Sequence, residues 1–101
     1  MSKIVVLNED AGRAPFGGVQ LMIYDYEYSD WSGTGNAIYK TDAGKWGHEY
    51  LGHCSCNGPF EDFNPADARF NTLQDILDNS SKDQQKELMR LIETARALGE
   101  V

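Results

Sequence analysis

The chain has 101 residues, 41% of them hydrophobic, with 16 acidic against 9 basic side chains and a formal net charge of −7. That supplies the apolar material for one core and too little length for two, so the chain reads as a single domain and not as a disordered one. The acidic balance argues against a protein that grips nucleic-acid phosphates through Lys and Arg. It suits a soluble surface, a basic protein partner or imitation of a nucleic-acid backbone.

Taken in chain order, Lys3-Ile4-Val5-Val6-Leu7 is a short β-branched run and predicts a strand. Asn8 to Gly18 is turn-rich and punctuated by Pro15, Gly17 and Gly18. Residues 19–28 predict the longest strand. From Tyr24 onward it alternates, with Tyr24, Tyr26 and Tyr28 on one face and Asp25 and Glu27 on the other. Its first half is apolar on both faces and belongs deeper in a sheet, and its second half leaves one face open. Ser29-Asp30-Trp31-Ser32-Gly33-Thr34-Gly35 reads as a loop, residues 36–40 as a strand, and Thr41-Asp42-Ala43-Gly44 as a tight turn with Gly44 at positive φ. Residues 45–56 read as the returning strand.

Asn57-Gly58-Pro59 ends the sheet, and residues 59–71 form a connector. Thr72-Leu73-Gln74-Asp75 and Ser81-Lys82-Asp83-Gln84 are capping-box sequences, each opening a helix. Leu73, Ile76 and Leu77 give the first helix its buried stripe. Leu88, Leu91, Ile92, Ala95 and Leu98 give the second its own, and Gly99 stops it. The expected fold is α+β, an antiparallel meander of three to four strands (1–58) followed by two C-terminal helices (72–101) packed on one face.

The unusual segment is Gly52-His53-Cys54-Ser55-Cys56-Asn57-Gly58. On an extended strand Cys54 and Cys56 share a face, about 6.6 Å apart at Cα, and could hold one zinc ion between their thiolates. His53 points to the opposite face. His48 has the right parity but lies roughly 20 Å from Cys54 along a straight strand. Either His could join a zinc site only through a bulge, for which Gly52 is the natural place. No second ligand pair exists elsewhere, so the expectation is no cofactor, with Cys54, Cys56 and His53 as the alternative zinc set. A catalytic cysteine, with His53 or His48 as its base, lacks an assignable orienting group. The plain alternative is two small buried hydrophobes at a strand end.

Tyr26-Glu27-Tyr28-Ser29-Asp30-Trp31-Ser32-Gly33-Thr34-Gly35, followed by the His53-Cys54-Ser55-Cys56 segment, resembles a group of small uncharacterised bacteriophage proteins. These carry a Tyr/acidic Ser-Gly segment and then His-Cys-Ser-Cys-Tyr-Gly. Asn57 stands here where they have Tyr. The resemblance implies a phage protein acting in a bacterial cytoplasm and assigns no activity.

Tyr24, Tyr26, Tyr28 and Trp31, with Trp46 and Tyr50 on a nearby strand, make an aromatic set with polar tips. It reads either as ordinary sheet packing or as a contact platform. The candidate binding residues are therefore Tyr24, Tyr26, Tyr28, Trp31, Trp46, His53, Cys54, Ser55, Cys56 and Asn57. Ser32-Gly33-Thr34-Gly35 lacks the Lys and the following helix of a phosphate loop. No catalytic constellation is legible. The expectation is a non-enzymatic binding protein that inhibits or modulates a host protein, a defence component among the candidates. The alternatives are sequestration of a small nucleotide-like ligand, with Arg13 or Arg69 meeting its phosphate, and a zinc or thiol protein. A homodimer through the aromatic face is a further outcome. No membrane partner is expected, because no apolar run approaches the ~18 residues of a span and the start does not resemble a signal peptide.

Overall fold

A computed structural model describes residues 3–8, 17–29, 32–51, 53–54 and 64–99. The strands are β1 (Lys3–Val6), β2 (Val19–Ser29), β3 (Ser32–Thr41), β4 (Trp46–Tyr50) and β5 (His53–Cys54). A short 3₁₀ turn (Pro65–Asp67) leads to α1 (Leu73–Asp78) and α2 (Lys82–Ala97). The sheet order is β1-β2-β3-β4, with β5 pairing β3 beyond the end of β4. The fold is α+β, as expected, and its radius of gyration of 12.7 Å fits one domain of this length.

The meander β2-β3-β4 is antiparallel, but β1 lies parallel to β2, with Lys3 opposite Leu21 and Val6 opposite Tyr24. The sheet is therefore mixed. Residues 7–18 separate the two strands, a connection long enough for a crossover and far longer than a hairpin needs. Periodicity specifies which face a residue takes and carries no information on strand direction.

The segment 32–35 is strand and not the expected loop: Gly33 pairs with Tyr28, Thr34 with Glu27 and Gly35 with Tyr26. Glycine is what permits it at 35, because a Cβ there would collide with the main chain of Asp25 and Tyr26. The β3–β4 turn follows expectation. Gly44 has φ 83° and donates to Thr41 O at 2.9 Å, and Thr41 N donates to Lys45 O at 2.8 Å.

Both faces of the sheet are packed. Leu21, Ile23, Ile38 and Trp46 meet α1 and α2 through Leu73, Ile76, Leu88, Leu91, Ile92 and Ala95. The opposite face forms a second cluster from Val19, Met22, Tyr24, Tyr26, Tyr39 and Leu51. The Tyr39 phenol is pushed up to about 12, by burial first and then by the nearby Glu49 and Asp67 carboxylates.

The helices begin where their caps predict. Thr72 Oγ1 accepts from Asp75 N at 3.2 Å while Asp75 accepts from Thr72 N, a reciprocal box. Ser81 Oγ accepts from Gln84 N at 3.2 Å and opens α2. Leu98, expected in the buried stripe, is the C-cap of α2 and is exposed, one residue before Gly99 turns the chain at φ 77°.

Candidate functional site

On the helix-facing side of the sheet, character changes along the strands. Leu21 and Ile23 of β2 are core, and the next residues of the same parity are Asp25 and Glu27. On β3 the change runs from Ile38 to Asn36 and Thr34, and on β4 from Trp46 to His48 and Tyr50. The open face expected for the second half of β2 is thus the acidic one. The N-terminal half of α2 stands over this polar end. Between them lies a cleft of about 400 Å³ whose charged lining is Asp25, Glu27, Asp83 and Glu87, with Asn36 and Tyr50 on its floor and wall. Tyr50 is 60% exposed.

Three side chains tie the cleft together. Asn36, 7% exposed, donates from Nδ2 to Glu87 Oε2 at 3.2 Å. The carboxylate only accepts, so this bond fixes the amide orientation and leaves Oδ1 as acceptor. His48 Nε2 lies 2.9 Å from that oxygen, so the imidazole carries its hydrogen on Nε2 and donates it. Burial holds the His48 pKa below its ordinary 6.5, which keeps the ring neutral at physiological pH. Asp25 is bound to Arg90 at 2.8 Å, an exposed pair on the flank of the cleft. The site therefore offers carboxylates and a phenol, a lining that accepts cations and hydrogen-bond donors, while the Asn36 amide is held by Glu87 and His48.

A second groove, of about 310 Å³, runs at the outer edge of β4. His48 and Glu49, which face opposite sides of the sheet, both line it, together with Arg69, Phe70, Ser80 and Gln84. Arg69 stacks over the Phe70 ring at 5.0 Å, which gives its guanidinium a partner other than a phosphate.

The sequence-predicted residues scatter. Tyr24 and Tyr26 are 1% and 5% exposed, so they are core and not an open platform. Their alternation is that of a sheet face closed on both sides. Trp46 is also buried, under α1 and α2, with the Lys40 ammonium 5.6 Å from its ring. Tyr28 pairs with Gly33, His53 with Gly33 and Cys54 with Ser32 across the ladder. Trp31, Ser55, Cys56 and Asn57 lie outside the described residues.

The register bears on the metal reading. Asn36 pairs with Tyr50 and Gly33 with His53, three residues along each strand, so β5 holds the same register on β3 as β4 does. Gly52, where the bulge that would bring His48 toward Cys54 is expected, lies outside the described residues. His48 is committed to Asn36. Among the described residues no group of three or more His, Cys, Asp or Glu side chains is placed to hold a metal ion. Among the described residues no helix is long and apolar enough to cross a membrane.

Sequence reasoning found Tyr50 and the acidic residues of β2 but not Asn36 or Glu87, which are 51 residues apart and meet only through the packing of α2 on β3. The one available signal was a polar Asn where the alternation of β3 places the helix-packed face.

The chain matches no family model, no curated protein and no solved structure.

Proposed function

We propose that this domain is a non-enzymatic binding protein that takes a basic segment of a partner protein into the acidic cleft and so inhibits or modulates that partner. The observation that carries the reading is the convergence of four carboxylates from β2 and α2 around a 60% exposed tyrosine. Complementary charge steers such encounters, and an exposed tyrosine beside a cleft is a favoured anchor. The resemblance of the His53-Cys54-Ser55-Cys56 region to bacteriophage proteins supports a bacterial host protein as the partner. Host defence proteins fall within that proposal.

Sequestration of a small ligand has the cleft volume in its favour, since about 300–1,000 Å³ is the usual range. The four carboxylates oppose a nucleotide phosphate, and Tyr24 and Tyr26 are too buried to stack on a base.

The test is capture from bacterial lysate at about 150 mM salt with the natural protein and with a Glu27→Lys, Tyr50→Ala double variant, both positions being exposed. A partner held by the first and lost by the second supports the proposal. Equal capture by both, or none by either, overturns it.

A further inference from the structure

The outer edge of β4 has one main-chain position filled and, among the described residues, the next two without a main-chain partner. Thr41 N donates to Lys45 O, and Leu51 N donates to Gly35 O at 2.9 Å, so odd-numbered residues of this strand bond inward to β3. In an antiparallel ladder the even-numbered residues then direct N–H and C=O outward. At Trp46 this is visible: its N donates to Phe70 O at 2.7 Å and its O accepts from Phe70 N at 3.0 Å. Phe70 is an isolated antiparallel bridge, and the chain does not continue it. Ala68 instead donates to Pro65 O and packs against the tyrosine face, which carries the connector off the edge. The outward groups of His48 and Tyr50 have no main-chain partner among the described residues. The 310 Å³ groove lies at this edge.

We infer that an extended, basic segment of the partner adds to the sheet as an antiparallel strand against His48 and Tyr50, on the line that Phe70 begins. The inference rests on the binding function proposed above and specifies its geometry. Main-chain bonds to an open edge supply affinity that is indifferent to sequence, and alternate side chains supply the selection. Residues directly opposite His48 and Tyr50 place their side chains on the same face as those two, the face of the acidic cleft. Two strand spacings, about 10 Å, separate the added strand from β3. A lysine or arginine reaching inward over Tyr50 and the Glu87 carboxylate reaching outward from Asn36 span that distance between them. The segment is therefore one with cationic residues at every second position.

The probe is the peptide acetyl-Lys-Val-Lys-Val-Lys-Val-Lys-amide, titrated into the whole protein at low salt by calorimetry. Two further peptides are methylated on the main-chain nitrogens of the lysines or of the valines. In an antiparallel pairing with the lysines toward the cleft, the lysine N–H groups bond to β4 and the valine N–H groups face away. Binding of the parent peptide, weakened tenfold or more by lysine N-methylation and less than threefold by valine N-methylation, is the expected result. Equal effects of the two methylations, or a larger effect at valine, overturn the antiparallel strand and leave the cleft reading standing. Absence of parent binding, or parent binding unchanged by Glu27→Lys, overturns the cleft reading and this inference with it. Tyr50→Pro removes one outward N–H at an edge position where proline is tolerated, and Tyr50→Ala keeps it. A tenfold loss in the first beyond that in the second supports the pairing, and equal losses count against it. If Tyr50→Pro does not fold, the methylated pair decides.

Discussion

The carboxamide of Asn36 joins β3 to α2 by donating to Glu87 Oε2 at 3.2 Å, and its oxygen is filled from the other side by His48. A short polar chain thus crosses three elements at the boundary between core and cleft. Replacing Asn36 with Leu strands the His48 Nε2–H and frees Glu87. The cost expected is about 1–3 kcal/mol, the usual penalty for a donor deprived of its partner, read as a lower urea midpoint. Asn36→Asp has a different signature. The new carboxylate still accepts from His48 and now stabilises its cation, so the His48 pKa followed by proton NMR rises above that of the natural protein.

The lowered pKa of His48 makes stability depend on pH with a definite sign. The unfolded chain takes up this proton near the ordinary 6.5, and the folded chain takes it up only at lower pH. The contribution is therefore complete above 6.5 and is lost as pH falls through the folded pKa. Urea midpoints should decline as the solution is taken from about pH 7.5 to 5.5. His48→Gln, which keeps a donor for Asn36, should flatten that decline. A variant whose decline parallels that of the natural protein would assign the effect to other groups.

What the sequence made legible was local. Alternation from Tyr24 onward placed Asp25 and Glu27 opposite the tyrosines, Gly44 announced its positive φ, and Thr72 and Ser81 announced their helices. What it hid was relational. Whether a tyrosine face is covered depends on segments distant in the chain, so Tyr24 and Tyr26 read equally well as platform or core. Gly33 and Gly35 resemble a loop because their use lies in the facing strand: at Gly35 the main chain of Asp25 and Tyr26 approaches too closely for a side chain. The parallel β1 and the contact of Asn36 with Glu87 are products of topology, and residue spacing does not encode them.

Burial separates the aromatic residues into two classes with opposite mutational behaviour. Tyr24 is 1% exposed and Tyr50 is 60% exposed. Tyr24→Ala should cost about 3–5 kcal/mol, the range for removing a buried aromatic ring, and in a domain of this size that approaches global unfolding. Tyr50→Ala should shift stability by no more than about 0.5 kcal/mol and lower partner affinity instead. Thermal melts and binding titrations of the pair check both halves. A strongly destabilised Tyr50→Ala would remove the exposed anchor from the proposed contact.

Gly35 and Gly47 both exclude a side chain, but against different obstacles. At Gly47 a Cβ would meet the ring tip of Tyr39, its directly opposed partner on β3. The ring can swing away at the cost of repacking a buried position, for which about 1–3 kcal/mol is typical. At Gly35 the obstacle is the main chain of Asp25 and Tyr26, which can move only by displacing β2 itself. Gly35→Ala should therefore be the more damaging change by at least about 1 kcal/mol. It should also disturb the cleft, because Asp25 and Asn36 flank the distorted pair. Guanidinium unfolding of the two variants measures the difference. Equal losses would mean that β2 and β3 separate as easily as a tyrosine ring turns, and the close approach at Gly35 would then have no structural consequence.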